Sequence, residues 1–330
     1  MKRVRIGIIG LGYIGKIHLR NASGHRIANL QLEAVADVSK HALKEAKKSG
    51  VKKTYTDYTS LLQDPNVDAV VIALPTHLHT DCVKKAAEYG KHIMLEKPIA
   101  SNISDAKQII SAAKNNSVKF MIGYPLRFNQ SMLNLRNRLN SGELGDVVTA
   151  YATNISTGPF MHRSIGHSPV PVPEWWFNKE LTGGGVLTDL GSHMINLLRW
   201  YFGEVKYIKS YLGYRFNMEL EDHAICITQF ESGTKGIINL GWYSQKYQQK
   251  VELIGTNGHA ISDIVPPNLI SAAIQMLLLN TTKFWQPYSA ELEYFARSII
   301  EDFTPSPTGY DGLKDIEAIY LAYQNAEQVH

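Results

Sequence analysis

"IGIIGLGYIGKIHL", residues 6–19, decides how this chain is read. A short β-branched run closes on Gly10, Gly12 and Gly15 in the spacing G-x-G-x-x-G, and a helical stretch follows. Alone the motif is weak, because glycine serves many turns. Set between a strand and a helix, it has the context a phosphate-binding loop needs. Gly10 permits the tight turn, Gly12 lets the backbone approach a pyrophosphate, and Gly15 allows close helix–strand packing. The N–H groups at the helix start then face the phosphates. The next strand ends at Asp37, 22 residues beyond Gly15. A carboxylate there can accept hydrogen bonds from both ribose hydroxyls and would repel a 2′-phosphate. The expected cofactor is therefore NAD, with NADP a weaker alternative that Lys40 could tolerate. The competing reading is a loop that only supports the fold, with an incidental Asp.

Outward from this loop the same pattern repeats. "RVRIGII" (3–9), "EAVAD" (33–37), "DAVVIAL" (68–74), "HIML" (92–95) and "VKFMIG" (118–123) read as short buried strands. Helical stretches at 13–23, 39–48, 57–63, 77–89 and 103–115 separate them. Short apolar strands alternating with helices predict a doubly wound parallel sheet, an α/β Rossmann unit. The pattern changes after about residue 145. Segments 147–156, 205–216, 223–231, 235–243 and 250–262 read as strands, with "ESGTKG" and "GTNGH" as hairpin-type turns. Helices are expected at 183–203, 289–303 and 310–328. This half predicts an open, mostly antiparallel sheet with helices on one face, an α+β unit. The expected domains are 1–123 and 124–330.

Composition narrows the class. A chain of 330 residues exceeds what one core usually sustains, so two domains are expected. With 44% hydrophobic and 19% charged residues it is ordinary for a globular protein. The net charge of +4 is spread along the chain, and no nucleic-acid recognition motif stands out. "KEAKKSGVKK" (44–53) has the look of a solvated helix end. Two cysteines, Cys82 and Cys226, make no disulfide framework and no metal cluster. Met1 leads straight into a strand with no cleavable hydrophobic segment. The run "LISAAIQMLLL" (269–279) is too short for a bilayer and reads as a core or interface helix. No membrane and no nucleic-acid partner are expected, and the expected location is the reducing cytoplasm.

Two further stretches carry chemistry. "HIMLEKPIA" places Glu96, Lys97 and Pro98 just beyond a strand, where open α/β sheets bind ligands. A lysine there can hold a substrate hydroxyl and stabilise its developing alkoxide. It could equally be a surface lysine. "GGGVLTDLGSHMINLLRWYFG" (183–203) reads as a buried helix interrupted by Asp189, Ser192, His193 and Asn196. Spacings of three and four put them on one face. Such a His is either a satisfied core residue, a catalyst, or half of a metal site with Asp189. No third ligand stands out by spacing, and no metal is expected.

Taken in order, "GLGYIGKIH", "ADVS", "ALPTHLH", "GKHIMLEKPIA", "GYPLRF", "EWWFNKELTGGGVLTDLGSHMINLLRW" and "DGLKDIEAIYLAYQNA" resemble the glucose–fructose oxidoreductase / inositol dehydrogenase family of NAD(P)-dependent enzymes. The resemblance covers nearly the whole chain. It implies a Rossmann domain followed by an open-sheet domain whose outer face makes a homodimer or homotetramer. It implies sugars, cyclic polyols or their derivatives as substrates. The family's catalytic lysine, Asp and His fall on Lys97, Asp189 and His193. A histidine, with an ordinary pKa near ~6.5, can take a hydroxyl proton near neutral pH. Asp189 would bind a neighbouring hydroxyl or orient the imidazole.

The residues expected along the cofactor are Gly10, Gly12, Tyr13, Ile14, Gly15, Asp37, Leu74, Pro75, Thr76, His79, Glu96 and Lys97. Those expected at the substrate are Arg127, His162, Arg163, Trp175, Asp189, Ser192 and His193. The proline-rich stretch 157–175 would be a lid, a solvated loop or a subunit contact. Two departures bear on substrate identity. Many members read Trp-Arg-x-Asp where this chain has Trp175, Trp176, Phe177 and Asn178, and an Asp where Asn196 stands. The leading expectation is an NAD-dependent dehydrogenase of a secondary hydroxyl. The alternatives are a redox-assisted glycosidase, which would release no net NADH, and a non-catalytic NAD-binding regulator.

Overall fold

The computed structural model describes residues 3–23, 27–161, 172–216, 218–264 and 286–329. They divide into two compact units, Met1–Pro125 with Trp285–Leu313, and Leu126–Phe284 with Lys314–His330.

In the first unit, strands β1 (Val4–Ile9), β2 (Leu30–Ala36), β3 (Lys53–Tyr55), β4 (Ala69–Ile72), β5 (His92–Glu96) and β6 (Phe120–Gly123) alternate with helices. These are α1 (Tyr13–Ala22), α2 (Lys40–Lys48), α3 (Tyr58–Leu62), α4 (His79–Glu88) and α5 (Ile103–Asn115). The strands form one six-stranded parallel sheet in the order β3-β2-β1-β4-β5-β6. All four residues of β4 are buried, as a strand covered on both faces requires. The winding reverses between β1 and β4, which places the ligand crevice of such a sheet beyond their carboxyl ends. Side chains of Ser39, Asp57 and Asn102 cap α2, α3 and α5. Helix α1 starts at Gly12 with no side-chain cap.

The second unit holds helices α6 (Gln130–Asn140), α7 (Lys179–Thr182) and α8 (Val186–Phe202). Its strands are β7 (Val147–Ile155), β8 (Val205–Gly213), β9 (His223–Phe230), β10 (Lys235–Gly241), β11 (Gln248–Gly255), β12 (Gly258–Ile264) and β13 (Ala326–Val329). They make one seven-stranded sheet, ordered β12-β11-β7-β10-β9-β8-β13. It is antiparallel except where β10 pairs β7 and β13 pairs β8. Alternation sorts the faces. Ala224, Cys226, Thr228 and Phe230 of β9 point into the core, and Ile225 and Ile227 point out. Helix α8 covers the inner face across β7, β9 and β10 through Val186, Leu187, Met194, Ile195 and Leu198. The outer face carries Tyr151, Tyr207, Ile225, Ile227, Ile254 and Ile261, all exposed.

Four features differ from the expectation. Strand β3 is three residues long, too short to register as a pattern. Helix α6, "QSMLNLRNRLN", buries only Met132 and Leu135, so its apolar stripe is faint. The last expected helix ends at Gln324, and its tail pairs with β8 as β13. The chain after 123 does not stay in one unit. Helix α9 (Gln286–Ile300) buries Leu292, Phe295 and Ala296 and packs on α1, β1 and β2. An amphipathic stripe shows that a helix is buried but not which sheet it covers. Segment 269–279 lies outside the described residues.

Candidate active site

The glycine loop is built as its chemistry needs. Gly10 has φ +90°, and a Cβ there would stand 2.5 Å from the carbonyl oxygen of Ala73. A Cβ on Gly15 would run into the carbonyl of Gly10. A Cβ on Gly12 would meet nothing within 4 Å, so the uncapped start of α1 opens onto free space. Tyr13 and Ile14 stand half-buried in the first turn, where burial pushes the Tyr13 phenol up. Asp37 is tied to this loop. Its Oδ2 accepts the Leu11 N–H at 2.6 Å and its Oδ1 the Ser39 N–H at 2.7 Å. A carboxylate has about four acceptor positions, so two hydroxyls remain within its capacity. Leu74, Pro75 and Thr76, just past β4, are half-buried.

Two residues expected along the cofactor face inward instead. His79 is fully buried, with Nε2 2.9 Å from the Leu74 carbonyl and Nδ1 3.1 Å from that of Pro98. Burial holds its imidazole below the ordinary value. It fixes the backbone behind the loop and has no surface to offer a dinucleotide. Glu96 is buried as well, and its Oε1 accepts from Nε2 of His18 at 2.6 Å. Next to it Lys97 is half-buried, and its bond to Pro98 is cis.

In the second unit, helix α8 starts on a carboxylate borrowed from elsewhere. The N–H groups of Gly185 and Leu187 donate to Oε1 of Glu221 at 3.1 Å each, and the Tyr323 hydroxyl donates to the same oxygen at 2.6 Å. Burial pushes the Glu221 carboxyl up, against the pull of these hydrogen bonds. The negative group meets the positive end of the helix dipole.

One turn further, the polar stripe divides. Asp189 and His193 are half-buried, at i and i+4. The indole N–H of Trp242 donates to Oδ2 of Asp189 at 3.3 Å, and Trp176 lies against Trp242 with ring centres 5.6 Å apart. Trp175, in the same 3₁₀ turn, is half-buried. Ser192, expected at the substrate, is buried and donates to the Asp189 carbonyl at 2.9 Å. Arg127, also expected there, is buried. Its Nε donates to Oδ1 of Asn196 at 2.7 Å, and its guanidinium lies 5.5 Å from the Trp200 ring centre. Asn196 donates in turn to Asp315 at 2.6 Å, and Asp315 pairs with Arg199. These residues stiffen α8. These hydrogen bonds run inside the second unit. His162 and Arg163 lie outside the described residues.

With this geometry in hand, the chain matches two family descriptions. Residues 4–124 match "Oxidoreductase family, NAD-binding Rossmann fold", and residues 132–261 match "GFO/IDH/MocA C-terminal domain". The chain belongs to the GFO/IDH/MocA family. It is an NAD-binding oxidoreductase, and this family's named enzymes similar to it act on CH–OH groups. One relative, myo-inositol 2-dehydrogenase of Thermotoga maritima, is 28% identical, with 98% of this chain and 97% of the relative covered. Another, scyllo-inositol 2-dehydrogenase (NAD(+)) of Bacillus subtilis, is 26% identical, with 96% and 92% covered. The fold matches the crystal structure of scyllo-inositol dehydrogenase from Lactobacillus casei with bound NAD(H) and scyllo-inositol. The TM-score is 0.79 at 24% identity, with 98% of this chain and 97% of that one covered.

The residues present suit the GFO/IDH/MocA cofactor. The open space before Gly12 is room that any side chain would fill, and Asp37 stands at the end of β2. Among the described residues no three His, Cys, Asp or Glu side chains are grouped to hold a metal ion. No described helix is long and apolar enough to cross a membrane. Trp242, Glu221 and Tyr323 escaped the reading of the sequence. Each acts on α8 from far along the chain, and no local pattern marks such a partner.

Proposed function

We propose that this chain oxidises a secondary hydroxyl of a cyclic polyol or sugar, an inositol-like compound foremost, and runs the reverse reduction as well. The observation that carries the reading is the Asp189–His193 pair. It is a carboxylate and an imidazole one turn apart, both half-buried, on a helix whose Ser192 and Asn196 are buried. The names of the relatives supply the substrate class.

Bound NAD would supply the hydride acceptor for the carbinol carbon. The chain's own residues handle the rest. Gly10, Gly12 and Gly15 leave room for the pyrophosphate, and Asp37 accepts from the ribose hydroxyls. His193 takes the hydroxyl proton as the C=O bond forms. The Lys97 ammonium donates a hydrogen bond to the same oxygen and lowers the cost of its negative charge. Asp189, held by the Trp242 indole, accepts from a neighbouring substrate hydroxyl.

NADH formation with a panel of inositols, aldoses and sugar acids, run in parallel with NAD and NADP, tests this. The expected result is turnover of at least one polyol, with kcat/KM at least about ten-fold higher for NAD, because Asp37 repels a 2′-phosphate. Silence across the panel with NAD binding confirmed removes the substrate class.

The exposed apolar face of the second sheet supports a homodimer or homotetramer, since soluble monomers rarely expose a large apolar patch. Ile227→Glu puts a charge in its middle. Light scattering after gel filtration should then show a smaller assembly than the parent. A monomeric parent would remove the interface. The two buried free thiols, Cys82 and Cys226, suit a reducing cytoplasm.

A further inference from the structure

Helix α1, which opens at the glycine loop, carries a fully buried polar side chain, His18. Its Nε2 donates to Oε1 of Glu96 at 2.6 Å, and the Tyr288 ring meets it edge-on with centres 5.7 Å apart. Glu96 is the last residue of β5, directly before Lys97. Its carboxyl is packed so closely that a Cβ on Gly123 would stand 3.2 Å away. A second carboxyl, Glu291 of α9, is fully buried beside it. Burial, and then the charge of Glu96, push the Glu291 carboxyl well above the usual range. Within this cluster the Glu96 carboxyl accepts its hydrogen bond from His18. On the far side of Lys97 the turn is held again, where the His79 ring lies 3.1 Å and 3.3 Å from the carbonyls of Pro98 and Ile99.

Lys97 therefore leaves from a backbone gripped on both sides by buried histidines. One comes from the helix that opens at the glycine loop and the other from the helix after β4. Successive residues of a strand end point to opposite faces, so anchoring Glu96 fixes the direction in which Lys97 departs.

We propose that the His18–Glu96 hydrogen bond is a buried strut that sets Lys97 relative to the glycine loop, and that both are positioning residues for the reaction. The proposal rests on the catalytic reading of Lys97 given above. His18→Leu leaves Glu96 buried without its partner and frees the turn. A displacement of about 1 Å at a reacting group costs about 10²-fold in rate.

The experiment uses the full-length protein with two readouts. The first is kcat per folded molecule on the panel's best polyol, with the deuterium isotope effect and the Kd for NAD. The second needs no substrate. It is the ¹³C resonance of dimethylated Lys97, assigned by its loss in Lys97→Arg. In His18→Leu, kcat should fall about 10²-fold, the isotope effect should rise, the Kd for NAD should stay within about 3-fold, and the Lys97 resonance should move. His18→Gln, which restores a donor, should bring kcat and resonance most of the way back. A merely structural role would lower the folded fraction and leave the isotope effect and the resonance of folded molecules unchanged, and that result overturns the strut. If His18→Leu does not fold, Glu96→Gln is read the same way, and an unmoved resonance there also overturns it. If the parent turns over no polyol, the proposed function fails on its own, and the Lys97 resonance alone decides the strut.

Discussion

His193→Ala and Lys97→Ala each leave less than about a thousandth of the parent turnover while the Kd for NAD stays within about two-fold. A positioned general base contributes about 10²–10⁴ in rate. Removing a donor that stabilises a developing oxyanion costs about 10²–10³. In the proposed mechanism both groups act on the same chemical step, so their losses do not add. The double variant should be little worse than the poorer single one. Neither side chain belongs to the glycine loop, and both are half-buried, so truncation opens no core cavity. Steady-state NADH formation and NAD titration calorimetry check both halves. Turnover within about ten-fold of the parent in either variant removes that residue from the chemistry.

Asp315→Leu lowers the stability of the second unit by about 3 kcal/mol, the low end of the usual cost of breaking a buried pair, because Arg199 keeps Glu204. Asp315 and Arg199 are both buried and paired, and the same carboxylate accepts from Asn196 at 2.6 Å. Burial alone would lower the Arg199 guanidinium. The hydrogen bond to Glu204 and the charges of Asp315 and Glu204 outweigh it and raise the group. Removing Asp315 releases Asn196, and with it the anchor of Arg127. The urea midpoint should fall with the slope unchanged. Asp315→Leu combined with Arg199→Met should recover most of the loss, because no charge is then left buried. A single variant with the parent's midpoint would show that the pair does not hold the unit together.

How much of this was legible follows from how local each signal is. The glycine loop is local, since G-x-G-x-x-G with a strand before it and Asp37 beyond it fits within one βαβ unit. The Leu11–Asp37 hydrogen bond joins its two ends. Helix α8 is half local. Periodicity put Asp189, Ser192, His193 and Asn196 on one face, but only the fold separates the half-buried pair from the buried one. Ser192 turns to its own helix backbone, and Asn196 finds Asp315, 119 residues away. The Arg127 partner is hidden for the same reason, because Asn196 comes from another helix 69 residues away. His79 and Glu96 stand in motifs that border the loop, yet their side chains face the core, and motif adjacency does not encode facing. Helix α9 is the extreme case. It returns from the far end of the chain to cover β1 and β2.

In the proposed reaction a carbinol hydrogen leaves the substrate as hydride, with its proton taken separately by His193. This is tested most directly by oxidising the best polyol of the panel, deuterated at the reacting carbon, in ordinary water. Mass spectrometry of the reduced dinucleotide should find one deuterium per turnover, and none released to solvent. Deuterium appearing in the water, with unlabelled NADH or none, would contradict the account.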